Sequence, residues 1–350
     1  MAQVLALEKP QELPYLLRKP LDAEVRRGNV LELEITTRCN LRCPPCVRVA
    51  FEDTWIEADM TWKRFDHVLQ HAKRFQTIYF RGWGEPLLHP KFKDMVKAAH
   101  ATGARVVVST NGVSLFPDGL LPYIHLLEYR MGCGDARVYE NQHPGRRFNQ
   151  ILFHIAAVRH WKSTHASEGP LLRLQFTKNR FTITRLQEYI ELAAQFKPVE
   201  VQLTQPGFHV RSIDEEGVLI GRVPEEELVR IDEELAGVAR EENVDLALHE
   251  NESHCLFNPL EHIFVNWKAQ ISPCRFTLLP LVDQHFSVYR KGKEQVFKCV
   301  DLGNNAGPFD FSKWHLKVRN LFTPRAIQGL PDGHNTLPQI CAALCSHVQF

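Results

Sequence analysis

An α/β fold is what this sequence predicts: a partial (β/α)6 barrel of parallel strands followed by a small cysteine-rich C-terminal domain. Three observations lead there. Between residues 29 and 205, six short apolar runs alternate with segments of helical period. Some of these runs, such as ARVVVST (104–110), are almost wholly apolar, as strands covered on both faces of a parallel sheet are. From about residue 251 the pattern changes to proline-bearing loops and short strand candidates, where most of the chain's nine cysteines lie.

Taken in order, residues 1–28 carry prolines at 10, 14 and 20 and little periodicity, and read as an arm. NVLELEITT (29–37) reads as the first buried strand. In 61–74, Trp62, Phe65, Val68, Leu69 and Ala72 share one helical face, and TIYFRG (77–82) is the second strand. The helix expected over 91–103 turns Phe92, Met95, Val96 and Ala99 inward and stops at Gly103. Strands follow at 104–110, 126–131, 171–177 and 199–204, with helices at 147–161 and 184–196. An acid-rich amphipathic helix (224–244) and a short strand candidate (245–249) form a connecting segment within 206–250. Residues 251–350 are assigned to the small domain, with HIFVNW as a strand candidate. In a sheet of this kind ligands gather beyond the carboxyl ends of the strands.

Composition narrows the function. The chain has 350 residues, 44% hydrophobic and 24% charged, as a globular protein with a sizeable core does. A net charge of +1 gives no electrostatic basis for nucleic-acid or anionic-membrane partners. No apolar run approaches roughly 18 residues, and prolines and acids interrupt the N-terminus where a signal sequence needs an apolar core. A cytoplasmic location is expected. The cysteines then point to metal or redox chemistry rather than disulfides, and Asn251-Glu252-Ser253 is a chance sequon.

The chemistry concentrates in RCNLRCPPC (38–46), directly after the first strand, where Cys39, Cys43 and Cys46 form a C-x3-C-x2-C array. Three thiolates on a four-iron cube leave one iron without a protein ligand. A zinc site would need a fourth close Cys or His, and none follows nearby.

The stretch CNLRCPPC resembles the signature of the radical S-adenosylmethionine (SAM) enzymes. That resemblance implies a 4Fe–4S cluster on Cys39, Cys43 and Cys46, with SAM chelating the open iron. RGWGEPLLHP (81–90) resembles the family's G-G-E-P segment, with Trp83 where the first glycine usually stands, followed by Gly84 and Glu85. Glu85 is then a candidate acceptor for the SAM ammonium group, although a plain strand-to-helix turn would also use Gly and Pro. Ser109 and Asn111, in the Ser-Thr-Asn-Gly run that closes the third strand, resemble a turn near the cofactor. They also suit an ordinary turn. Cys133-Gly134-Asp135 stands where relatives carry Ser-x-Asp beside SAM; Cys133 is either a silent replacement or a hydrogen-atom donor to a substrate radical. Arg173 and Gln175 are candidates for the SAM carboxylate or for substrate, with an outward-facing salt bridge as the alternative for either.

Residues 255–274 resemble the start of an auxiliary-cluster extension of the SPASM or twitch type. Cys255, Cys274, Cys341 and Cys345 would complete an auxiliary 4Fe–4S cluster. A structural zinc site in the same place remains an alternative, and Cys299 is a buried thiol or a substitute ligand. The resemblance implies reductive cleavage of SAM to a 5′-deoxyadenosyl radical that attacks an unactivated C–H bond of a small-molecule, peptide or protein substrate. Flavodoxin or ferredoxin is the expected electron donor. The motifs look most like maturases of tungsten-cofactor oxidoreductases, and nearly as much like antibiotic-sugar tailoring enzymes. A sugar or aminocyclitol dehydrogenase, decarboxylase or epimerase is therefore the rival enzyme reading, and a non-catalytic iron–sulfur protein the rival outside enzymes. The 28 or so residues before the first strand are too few for a winged-helix leader-binding domain.

Overall fold

The structure is a computed structural model that describes residues 30–44, 46–72, 75–165, 169–179, 181–204, 225–248, 262–290 and 293–299. Seven parallel strands follow in order: β1 (Val30–Leu33), β2 (Thr77–Phe80), β3 (Arg105–Thr110), β4 (Leu126–Gly132), β5 (Leu171–Thr177), β6 (Glu200–Thr204) and β7 (Asp245–Leu248). Helices α1 (Val47–Ala50), α2 (Trp62–Gln70), α3 (Phe92–His100), α4 (Ala136–Gln142), α5 (Phe148–Thr164), α6 (Leu186–Ala194) and α7 (Glu225–Glu241) lie between them. Each strand pairs with the next, and the sheet ends at β7 on one side, so it is an open α/β sheet.

The other edge departs from expectation. The strand from HIFVNW, β8 (His262–Val265), runs parallel to β1 in the same sheet, with Val30 opposite His262 and Leu33 opposite Val265. It turns back antiparallel as β9 (Ile271–Ser272), giving the order β7-β6-β5-β4-β3-β2-β1-β8-β9. Burial explains this: Ile263 and Val265 join the same core as Leu31 and Leu33. The β8–β9 turn closes without glycine. Ala269 takes φ +63°, and the Asn266 side-chain oxygen accepts from the Lys268 and Gln270 amides at 3.0 and 2.9 Å. A separate hairpin joins β10 (His285–Arg290) to β11 (Lys293–Lys298).

The sheet's two faces differ in kind. Apolar residues of α2, α3, α5, α6 and α7 pack on alternate strand positions, among them Leu31, Leu33, Ile78, Phe80, Val106 and Leu127. The helical spacing of Phe92, Met95, Val96 and Ala99 delivers all four to that core. The opposite, inner face begins with an apolar layer of Val30, Tyr79, Val107 and Leu126. Nearer the strands' carboxyl ends the same face carries Glu32, Arg81, Ser109, Glu128 and Arg173, nearly all fully buried. No helix among the described residues is long and apolar enough to cross a membrane.

The arm at 1–28, positions 206–224 and 249–250 of the connecting segment, and Cys255, Cys341 and Cys345 lie outside the described residues.

Candidate active site

The cysteine loop leaves β1 at its carboxyl end, where the chain must turn outward over the inner face. It is stitched there by polar side chains. The Thr36 hydroxyl donates to Asp59 at 2.7 Å, the Thr37 hydroxyl donates to the Ile56 carbonyl at 2.6 Å, and Arg38 forms an ion pair with Asp59. The Cys46 amide donates to the Cys43 carbonyl at 2.9 Å, and Cys46 caps α1. Cys39, Cys43 and Cys46 are each partly accessible.

Burial pushes all three thiols above their ordinary range, and the mutual charges of Cys46 and Cys39 push Cys43 further. Arg130 counters this at all three. Three converging thiols of this kind become thiolates together only beside concentrated positive charge, which an iron centre supplies. Among the described residues, no group of three Cys, His, Asp or Glu side chains is arranged to hold a metal ion, so the case for a metal centre here rests on the three thiols themselves. Three free, partly accessible cysteines are the kind and number of donors that three corners of an iron–sulfur cluster take.

The Trp83–Glu85 turn is pressed onto this loop. A Cβ on Gly84 would lie 2.3 Å from the Thr36 carbonyl oxygen and 2.7 Å from that of Arg38, so only glycine permits the approach. The Glu85 amide donates to the Arg38 carbonyl at 2.8 Å. Glu85 itself is fully buried, and burial raises its pKa. One carboxylate oxygen accepts from the Thr110 hydroxyl at 2.8 Å and the Leu87 amide at 3.3 Å; the other accepts from the Asn111 amide at 2.7 Å. Glu85 thus ties β3 to the turn through three donors of this chain.

Asn111 completes the contact. Its side-chain amide donates to Asn40 at 2.8 Å and lies 3.7 Å from the Cys39 sulfur. Gly112 follows at φ +74°, the left-handed conformation that this turn needs. The structure therefore brings Trp83, Gly84, Glu85 and Asn111 together around the cysteine loop.

Other expected residues stand apart from it. Ser109 points to the inner face, where its hydroxyl donates to Glu128 at 2.7 Å. Arg173 is buried on β5 between Glu200 at 2.7 Å and Glu128 at 3.7 Å, an inward rather than outward salt bridge. Gln175 donates to Gln202 at 3.2 Å. Asp135 caps α4 through the Val138 amide at 2.8 Å and forms an ion pair with Arg185. Cys133 is buried in the apolar core, with its thiol 3.8 Å from the Asp135 carbonyl and burial raising its pKa to about 11. Cys274 caps a single turn after β9, its sulfur accepting from the Phe276 amide at 3.4 Å. Cys299 is a buried thiol that donates to the Leu279 carbonyl at 3.6 Å.

The inner face holds a charge network that motif reading passes over. Glu32 binds Arg275 at 2.7 Å and His262 at 3.0 Å. Burial alone would raise its pKa, but Arg275 and His262 override this and hold it well below the carboxylate range. Glu128 is likewise opposed by burial yet held to about 2 by Arg81 and Arg173. Glu34, one layer closer to the cysteine loop, accepts from the Trp83 amide at 2.9 Å, and its other oxygen is buried with no partner among the described residues. Burial, with the charge of Glu32, raises its pKa to about 8. The signal was present: two acids two residues apart, on one face of a strand that is otherwise apolar.

Comparison with known proteins bears directly on this loop. Residues 33–126 match the Radical SAM superfamily. The match runs from the end of β1 to the start of β4 and contains the cysteine loop, the Trp83–Glu85 turn and Asn111. The tungsten-containing aldehyde ferredoxin oxidoreductase cofactor-modifying protein of Pyrococcus furiosus is 46% identical over 88 residues, 24% of this chain and 24% of that one. The chain thus spans about a quarter of the length of that relative. Two solved structures share the fold at 12% identity. Native anSMEcpe with bound AdoMet has a TM-score of 0.60, covering 91% of this chain and 89% of that one. Streptococcus suis SuiB bound to S-adenosylmethionine has a TM-score of 0.56, covering 92% and 72%. A 4Fe–4S cluster and SAM are the cofactors that the superfamily match implies, and the three-thiol loop has the donors for such a cluster.

Proposed function

We propose that this chain is a radical SAM enzyme. Cys39, Cys43 and Cys46 would hold a 4Fe–4S cluster, with SAM on the open iron. The observation that carries the reading is the docking of Gly84 and Glu85 onto Thr36 and Arg38, which joins the cysteine loop to the second motif within the matched segment. The chemistry these cofactors supply is reductive cleavage of SAM and removal of a hydrogen atom from a substrate C–H bond.

The residues of the chain do the rest. Gly84 lets the turn reach the loop, Glu85 and Asn111 hold β3 against it, and Arg130 offsets the charge of the thiolates. Trp83 borders the proposed cofactor site; Ser109, Asp135 and Arg173 are proposed to support it from outside the cysteine loop, Ser109 and Arg173 through Glu128. Cys133 is proposed as a hydrogen-atom donor, a role that requires the thiol form favoured by its burial. Cys255, Cys274, Cys341 and Cys345 are proposed to hold an auxiliary 4Fe–4S cluster, with flavodoxin or ferredoxin as electron donor.

The proposed substrate is a peptide or a cofactor precursor under maturation. The cofactor-modifying name of the Pyrococcus relative supports the second, and a solved SuiB complex with its precursor peptide SuiA supports the first by analogy of fold. Anaerobically reconstituted protein, given SAM and a strong reductant, should form 5′-deoxyadenosine, and Cys43→Ala should not. Equal product from both proteins would defeat the proposal.

A further inference from the structure

Trp83 occupies the place where the resemblance leads one to expect glycine, and it is held at both ends. Its backbone amide donates to Glu34 at 2.9 Å, and its indole nitrogen donates to the Arg275 carbonyl at 3.3 Å. The indole meets the Phe276 ring edge-on, with centroids 5.3 Å apart, and the Arg275 guanidinium lies 5.8 Å from its centre. Arg275 is in turn anchored by Glu32 at 2.7 Å, with both side chains almost wholly buried. Two acids, Glu32 of β1 and Glu34 just past its end, thus secure the same residue, Glu34 directly and Glu32 through Arg275.

The space around the clamp is close-fitted. A Cβ on Gly82 would come within 2.6 Å of the Glu34 side chain, so the strand exit must be glycine for Glu34 to reach the Trp83 amide. Residues further along the same C-terminal segment cover the cysteine loop's own helix. Leu278, Leu279 and Leu281 pack with Val47 of α1, Phe51, Trp55 and Trp83. The Ile56 amide donates to the Pro280 carbonyl at 2.7 Å, and the Val282 amide to the Thr54 carbonyl at 2.9 Å. Trp83 also directly precedes Gly84 and Glu85, which rest on Thr36 and Arg38. A shift of residues 275–276 therefore has a rigid path to the turn against the cysteine loop.

We propose that Glu34 and Arg275 are positioning residues that clamp Trp83, so that the segment following Cys274 sets the geometry of the SAM-binding turn. The proposal rests on the radical SAM reading for the identity of the ligand. It assigns a purpose to the tryptophan: the bulk that displaces the expected glycine is the handle by which a segment about 190 residues away in sequence grips the turn. In this scheme Arg275 acts on the SAM-binding turn through Trp83.

The test uses full-length, cluster-loaded protein with SAM as the probe, measuring the SAM dissociation constant and the hydrogen exchange of the Trp83 amide. Arg275→Met and Trp83→Gly should each weaken SAM binding at least about tenfold, because small misplacements at a reacting site are costly. Trp83→Phe, which keeps the ring and loses the indole N–H, should fall between them and the wild type. Glu34→Ala should speed exchange of the Trp83 amide, and Glu34→Gln, which keeps an acceptor for it, should recover most of the protection. A purely structural role for Arg275 would lower the melting temperature without moving the SAM constant in the protein that remains folded. An unchanged SAM constant in folded, iron-replete Arg275→Met and Trp83→Phe would overturn the clamp. If wild-type protein binds no SAM, the radical SAM reading fails instead. The clamp is then judged by exchange alone: it stands if Arg275→Met loosens the Trp83 amide and falls if it does not.

Discussion

Replacing Gly84 by alanine is the smallest change that strikes the proposed site. The new methyl carbon would sit 2.3 Å from the Thr36 carbonyl oxygen and 2.7 Å from that of Arg38. Ordinary non-bonded separations are roughly 3.5 Å, so the two segments must part by about 1 Å. Both obstacles are backbone atoms and cannot rotate away. The same movement stretches the Glu85 amide bond to Arg38, now 2.8 Å, and draws Asn111 from Asn40 and Cys39. A misplacement of about 1 Å can cost on the order of 100-fold in rate, and that is the expected loss of 5′-deoxyadenosine formation in Gly84→Ala. The assay is the initial rate under reducing, anaerobic conditions at matched iron content, with circular dichroism confirming the fold. Gly237→Ala is the control, since nothing lies within 4 Å of its added carbon. A Gly84→Ala enzyme within about threefold of wild type would refute the idea that this contact sets catalytic geometry.

Further consequences follow from the inner face and the cysteines. Glu34 keeps its proton in the folded chain up to about pH 8, whereas unfolded chain releases it near 4.5; stability should therefore fall as pH rises between those values and level off above. Denaturant titrations across that window should show a loss on the order of a few kcal/mol attributable to Glu34, absent in Glu34→Gln. Arg275→Met should destabilise by about 3–5 kcal/mol because it strips Glu32 of its guanidinium, while Glu32→Leu combined with Arg275→Met should cost much less than the two single changes summed. Additive costs in unfolding experiments would show that the pair is not coupled. Ala269→Gly should stabilise by roughly 1 kcal/mol in thermal unfolding, since φ +63° strains alanine and not glycine. For Cys133, reaction in deuterated water should label the product if its thiol returns a hydrogen atom, and unlabelled product would remove it from that role.

Much of the α/β order was legible because helical and strand periods alternate cleanly over 29–205. The cores of α3 and β5 fall where Phe92, Met95, Val96, Ala99 and the run 171–177 place them. Short elements were lost: α4 has only seven residues, and it buries just one of them, Tyr139. The position of β8 could not be read, because four buried residues say that a strand is covered and not which neighbour covers it. Within the site, the cysteine spacing and Gly84 were local signals and were readable. The partners of Glu85 were not, since Thr110 and Asn111 lie 25 and 26 residues away. For Ser109 and Arg173 the sequence left a cofactor contact and an ordinary turn or salt bridge both open; neither reading showed that both would reach Glu128, 19 and 45 residues away. Trp83 read as a departure from pattern; its contacts with Arg275 and Phe276, about 190 residues away, were not legible in the sequence.

The most direct test of the central claim is electron paramagnetic resonance of the reduced first cluster in protein whose Cys255, Cys274, Cys341 and Cys345 are all changed to alanine. If Cys39, Cys43 and Cys46 hold a 4Fe–4S cluster with one open iron, adding SAM should change the signal, and Cys43→Ala should abolish the signal altogether. A signal indifferent to SAM, or a zinc atom in place of iron, would contradict the account.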